Sequence, residues 1–410
     1  MSVRKGYKQT EIGVIPEEWE VVEIGEYCDI LDSKRIPLSS TVRAEMQGDI
    51  PYYGANGVLD YINDYIFDEE LVLLAEDGGN FNEYETRPIA YMITGKSWVN
   101  NHAHILRAKN GQNHFLFYSL VHKNITAYIN GGTRAKLNRS ELVKIPIANP
   151  PLQEQRKIAT ILSSVDNKIE AIDERIAQTE MLKKGLMQKL LHDGIGHTEF
   201  KESEIGRIPK EWEVVNVGKH IELMGGYAFK SKDAKEFGTK WLKIANVGIN
   251  TIKWEQISYL QDDYKEKYKK FLLKKGDIVL AMTRPILNMK LKIAKITDSD
   301  LPALLNQRVG KLIFDNNINS NFVYQVLQHT DFVKLLMLKI MGTDPPNVSS
   351  EQFESIKIPL PSPLEQQKIA TILSSTDNKL DTLREKKARY EQLKKGLMQK
   401  LLTGEIRTIP

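Results

Sequence analysis

The apolar and polar positions divide this chain into two kinds of segment. In the first kind, apolar residues fall at alternating steps of three and four. Leu162, Val165, Ile169, Ile172, Ile176, Leu186 and Leu190 form one such row, with Thr179 and Lys183 filling its gaps. Leu373, Leu380, Leu383, Tyr390, Leu397 and Leu401 form a second, with Thr376, Lys387 and Lys394 in its polar places. This alternation is a heptad seam. It predicts two long helices, from about Leu152 to His192 and from about Leu364 to Leu402. Each follows a proline-rich step, "IPIANPPLQEQ" or "IPLPSPLEQQ", and Glu154 and Glu365 suit the positive end of a helix. At about 1.5 Å per residue, each helix is roughly 60 Å long. A lone seam of that length would be exposed apolar surface, so the two predict mutual pairing. Gly185 and Gly396 interrupt good helix formers at a cost of about 1 kcal/mol each, which predicts close approach by another backbone.

The second kind of segment lies between the helices. "LVLLAEDGG" at 71–79, "HAHILRA" at 102–108, "GDIVLAM" at 276–282 and "RVGKLIF" at 308–314 read as short strands bounded by Gly, Asp and Asn. Residues 114–125 and 321–340 read as helices. The expected fold class is α+β: two globules of similar layout joined by two long antiparallel helices forming a coiled coil. The expected divisions are 1–150, a first globule; 151–196, a first helix; 197–362, a second globule; and 363–410, a second helix.

The long segments are copies. "KIATILSSVDNKI" at 157–169 returns as "KIATILSSTDNKL" at 368–380, and "LKKGLMQKLL" at 182–191 returns unchanged at 393–402, both 211 positions on. "TEIGVIPEEWEVV" at 10–22 returns as "SEIGRIPKEWEVV" at 203–215, 193 positions on. The stretches between show no such identity. A fixed frame therefore carries two different inserts, which is two domains rather than a solenoid. If the units are equivalent in space, the second helix ends where the first unit opens, near Tyr7–Pro16. The helices then run antiparallel, and the chain is a pseudo-twofold ring of repeats cut open at its termini.

Composition adds less. With 57 basic and 53 acidic residues the net charge is +4, so any nucleic-acid face must concentrate its charge locally. One cysteine, Cys28, excludes an internal disulfide framework and fits a reducing compartment. The apolar runs are too short to span a bilayer and the N-terminus lacks a signal peptide's apolar stretch, so a cytoplasmic protein with no membrane partner is expected.

Catalytic motifs are weak. "NPPL" at 149–152 and "DPPN" at 344–347 are similar to the D/N-P-P-aromatic loop of amino-methyltransferases, but both lack the aromatic ring that stacks on a target base. No G-x-G-x-x-G for a methyl donor, no P-loop and no G-x-S-x-G occurs. His102 and His104 could share a strand face as metal ligands, but no Cys or acidic cluster at suitable spacing completes a set, and hydrogen bonding explains them. No metal site and no catalytic residue is expected.

Polar and basic loops remain: "DSKRIP", "YYGANG", "VNNHAH" and "GGTRAKLNR" in the first insert, and "MGGYAFKSK", "IANVG", "MTRPILNMK", "LNQR" and "MGTDPPN" in the second. Their residue types read base edges and grip phosphates. Together with "IGxIPxxWE" opening each unit, the "PPLQEQRKIATILS" and "PSPLEQQKIATILS" helix entries and "LKKGLMQKLL" closing each helix, nearly the whole chain resembles the specificity subunit of Type I restriction–modification systems.

The resemblance implies two target recognition domains, each reading one half of a split sequence in double-stranded DNA, with the helices as spacers. It implies two docked methyltransferase subunits and motor-nuclease subunits that join for cleavage. Catalysis, S-adenosylmethionine, ATP and Mg then belong to those other chains. Within that reading, Arg35, Arg134 and Arg308 can address guanine, and Asn56, Asn101 and Asn246 adenine. Lys34, Lys136, Lys230 and Arg284 can hold phosphate, His102 adds a polar contact, and Tyr227 and Phe229 can pack on a base or sugar. Two readings compete: a two-headed protein-binding scaffold, and a self-sufficient methyltransferase.

Overall fold

The computed structural model describes residues 4–131, 135–342 and 344–408. It divides into two compact units, one of residues 1–174 with 384–410 and the other of 175–383.

In the first unit, strands β1 (Cys28–Ile30), β2 (Leu71–Ala75), β3 (Ala90–Ile93) and β4 (Ala103–Ala108) form an antiparallel sheet in the order β1-β4-β2-β3. All five residues of β2 are buried, which is why it reads as an unbroken apolar run. Helix α1 (Asn113–Leu120) covers this sheet. A second sheet pairs Gln47–Gly54 in parallel with Lys96–Val99. Frame strands Glu20–Glu23 and Pro146–Asn149 pair antiparallel, and the long helix α2 (Leu152–His192) begins just after them.

The second unit repeats this plan with other residues. Strands β5 (Ile221–Gly225), β6 (Ile278–Ala281), β7 (Ile293–Lys295) and β8 (Val309–Phe314) form an antiparallel sheet in the order β5-β8-β6-β7. Thr239–Leu242 runs parallel to Ala303–Leu305, and Glu213–Asn216 pairs with Lys357–Leu360. Helices α3 (Ser320–Gln328) and α4 (Thr330–Ile340) precede the second long helix, α5 (Pro363–Leu401). The two inserts thus share one topology without sharing sequence.

Two predicted helices change. The single helix expected over 321–340 breaks at His329, whose backbone is extended (ψ 143°) and whose ring Nδ1 accepts from the Asp331 N–H at 3.4 Å, capping α4. The helix expected over 114–125 stops at Leu120, and the Val121 carbonyl instead accepts from Ile89 N–H at 3.0 Å.

The seam lysines meet carboxylates on the facing helix. In the first unit Lys394 reaches Asp166 at 2.7 Å and Lys387 reaches Asp173 at 2.7 Å, so rising numbers on one helix meet falling numbers on the other. In the second unit Lys183 reaches Asp377 at 2.5 Å. Asp166 and Asp377 occupy the same repeat position, as do Lys183 and Lys394, so one ion pair is made twice. Leu162, Val165, Ile172, Leu373 and Leu380 are buried along the seam.

The glycines do otherwise. A Cβ on Gly185 or Gly396 would meet nothing within 4 Å, which corrects the expected close backbone. The C-terminal segment lies beside the first unit's opening, as the repeat logic predicts. Tyr7 Oη donates to the Gly404 carbonyl at 2.8 Å, and Gly404 (φ 71°) leaves no room for a Cβ against Pro16. No helix among the described residues is long and apolar enough to cross a membrane.

Candidate nucleic-acid interface

In the first unit the polar loops converge at one end of the β1-β4-β2-β3 sheet. Asp32, Glu76 and His104 come together there from three separate segments. His104 Nδ1 lies 2.6 Å from Asp32 and its Nε2 lies 2.8 Å from the Leu137 carbonyl, with the ring only 1% exposed. Arg35 pairs with Glu76 and donates to the Ala103 carbonyl at 2.9 Å, and Lys136 pairs with Glu76 at 3.1 Å. Burial alone would raise the Asp32 carboxyl. Hydrogen bonds from His104 and the Ile105 N–H, with the nearby Arg35 charge, overrule it and hold Asp32 below the usual range.

This network corrects two readings. The acidic partners that local spacing denied to His104 are supplied by the fold, yet Arg35 and Lys136 already neutralise them, so the cluster is a buried ion network. His102 does not join it: its Nδ1 lies 2.6 Å from Asp77 instead. Arg35 is spent on Glu76, Asp32 and backbone carbonyls, which removes it from guanine. Lys34 and Asn101 are exposed, while Asn56 is exposed and leans on the Gly78 carbonyl at 2.9 Å. Arg134 lies outside the described residues. Cys28 has no role here: burial pushes its thiol up to about 12.

In the second unit the loops are stitched through backbone. Tyr227 N–H donates to Leu305 O at 2.9 Å, and Gln307 N–H returns a bond to Tyr227 O at 3.0 Å. Met282 N–H donates to Arg308 O at 2.9 Å, and Arg284 N–H to Pro346 O at 2.7 Å. Gly226 allows this closeness, since a Cβ there would stand 2.3 Å from Leu305 O.

The stitching joins the loops that carry Tyr227, Arg284 and Arg308, all exposed, with Lys230 exposed three residues beyond Tyr227. Tyr227 packs against Tyr268 at 4.4 Å between ring centres, the rings tilted by 44°. Phe229, expected on a base or sugar, is 7% exposed and packs among Trp241, Tyr264 and Tyr268. Asn246, expected on adenine, is 2% exposed. Its carbonyl oxygen accepts from Lys243 N–H and its amide donates to Lys253 O, both at 2.9 Å. Asn closes local turns by such bonds, and here that use wins.

Both frames carry a clamp. Trp19 Nε1 donates to Glu154 at 2.9 Å, and Arg407 grips the same carboxylate at 2.9 and 3.0 Å. In the second unit Trp212 Nε1 donates to Glu365 at 2.9 Å, and His197 stands where Arg407 does, at 2.9 and 3.0 Å. The "WE" of each "IPxxWE" repeat was the available signal for these tryptophans. Asn149 of "NPPL" accepts from Gln155 at 2.8 Å, so that segment is a helix entry.

Residues 16–181 and 209–393 match the family described as Type I restriction modification DNA specificity domain. The chain belongs to that family of Type I restriction–modification specificity subunits. It is 38% identical to the Type I restriction enzyme MjaVIII specificity subunit of Methanocaldococcus jannaschii over 96% of this chain and 94% of that one. A putative specificity subunit of Haemophilus influenzae, S.HindORF215P, is 27% identical over 90% of this chain and 89% of its own. The crystal structure of a Type I restriction–modification S subunit from M. genitalium shares the fold, with a TM-score of 0.66 at 16% identity over 98% of both chains.

Proposed function

We propose that each unit reads one half of a split sequence in double-stranded DNA, and that the paired helices set the gap between the halves. The observation that carries this is one sheet topology holding two different loop faces on a duplicated frame. Equal frames suit one kind of partner twice, and unequal faces suit two unequal half-sites. In the first unit Lys34, Asn56, Asn101 and His102 remain on the reading face, and Lys136, paired with Glu76 but 46% exposed, borders it. In the second it is Tyr227, Lys230, Arg284 and Arg308. Residues 1–150 and 197–362 are then the recognition domains, with 151–196 and 363–410 as spacers.

The frame also repeats two exposed apolar positions. Leu393 and Ile406 are 48% and 43% exposed in the first unit, and their counterparts Leu182 and Ile195 are 52% and 36% exposed in the second. The helix ends that carry these residues are the proposed docking sites for two methyltransferase subunits. Gly396 and Gly185, bare of neighbours, leave helix backbone open to the same partner. In this reading the chain is non-catalytic. S-adenosylmethionine sits on the methyltransferase, ATP and Mg on the motor-nuclease subunits, and all act in the cytoplasm.

The test is a gel shift of the chain with its methyltransferase across salt concentrations. Neutralising about five phosphates predicts a log–log slope of about −4 or steeper. A flat response would favour the protein-binding scaffold.

A further inference from the structure

In the second unit a small hairpin pairs Ile286–Leu287 with Lys290–Leu291 and turns through Asn288 and Met289. Both turn residues have positive φ, 49° and 57°. Two-residue turns of this kind normally place glycine second, because any Cβ there is strained. Methionine takes that strain, and packing inside the fold does not offset it. Met289 is 45% exposed and Leu287 54%, while Leu291 at the root is 2% exposed and anchors the hairpin. Arg284, just before the hairpin, also has positive φ, 47°, and is fixed by its bond to Pro346 O at 2.7 Å. Backbone strain that the core does not explain points to a ligand.

The surroundings indicate its chemistry. Arg284 and Lys290 are exposed. Burial, and then the Arg284 charge, hold the Lys292 amine below its usual range. Among the described residues neither Arg284 nor Lys292 has a salt bridge to a carboxylate. Two cations brought together in this way suit an anion, and two unbranched or singly branched apolar tips suit an apolar slot. The hairpin root is bonded into the reading face beside Arg308 through Met282. Stacked bases flanked by phosphates offer both features at that position.

We propose that this hairpin is a wedge: Leu287 and Met289 enter between base pairs of the bound duplex, while Arg284 and Lys292 hold phosphates beside the opened step. Apolar wedges of this type unstack a step and kink the duplex by roughly 20–90°. The proposal rests on the DNA reading above and adds a deformation to it.

The experiment uses the full chain with its methyltransferase subunits and a duplex carrying the motif found by methylation mapping. 2-Aminopurine is scanned through the half-site of the second unit. The wild type is expected to brighten at one step distinct from the methylated adenine. Leu287→Ala with Met289→Ala should bind but lose that signal. Met289→Gly should weaken it while melting no lower than wild type, since glycine relieves the turn; this separates the wedge from a folding defect. Binding without unstacking in the wild type, or unstacking retained in the double variant, overturns the wedge and leaves the DNA reading standing. No binding at all overturns both. Capture of the hairpin by anionic vesicles without any effect on the duplex would also overturn it.

Discussion

Glu154→Ala should lower the stability of the first unit by about 3 kcal/mol, because it leaves the Trp19 indole N–H and the Thr408 N–H without their acceptor and leaves Arg407 only the exposed Glu18 as a partner. The Glu154 side chain is fully buried and Arg407 is 26% exposed, so solvent softens the loss on the arginine side. In a unit of this size the melting midpoint should fall by about 6–12 °C in calorimetry. Burial by itself pushes the Glu154 carboxyl up. Bonds from Arg407, Trp19 and the Thr408 N–H outweigh it, and the net shift is downward. A depressed carboxyl stabilises fully above its unfolded pKa, about 4.3, and loses that contribution as pH falls through the lower folded value. The wild type should therefore lose its advantage over Glu154→Ala in acid. An unchanged midpoint at neutral pH would show that the clamp is incidental.

Leu182→Asp and Leu393→Asp should each remove one docked methyltransferase, and together should remove both. Each leucine lies on an exposed helix face, so the substitution leaves the core intact. A central apolar anchor is worth about 2 kcal/mol or more, which weakens each site roughly thirtyfold. Mass photometry of the chain titrated with methyltransferase reads this as a change in stoichiometry. Two subunits still bound to the double variant would place the docking surface elsewhere.

The long helices were legible because a seam repeats every seven residues and prolines mark its start; α2 has the expected bounds and α5 differs by one residue at each end. The central strands were legible as buried apolar runs. The smaller sheets were not, since Gln47–Gly54 finds its parallel partner more than forty residues away. The same limit governs the site. Sequence showed that Arg35 and Asn246 were chemically suited to DNA. It did not show that Glu76, 41 positions on, would take the arginine, or that Lys253 would take the amide. Gly185 failed differently: its propensity cost was visible, but the surface it faces was not. The turn at Met289 was missed because methionine gives no signal for positive φ.

A ruler between two reading heads leaves its signature in the host's methylome. Cells carrying this chain and its methyltransferase should show one adenine-methylated motif with two specified halves around an unspecified gap. Four residues inserted into the middle of each long helix add about 6 Å, or roughly one to two base pairs, at about 1.5 Å per residue and 3.4 Å per base pair. The gap should lengthen with both half-sites unchanged. Altered half-sites at an unchanged gap, or a contiguous motif in the wild type, would rule out the ruler.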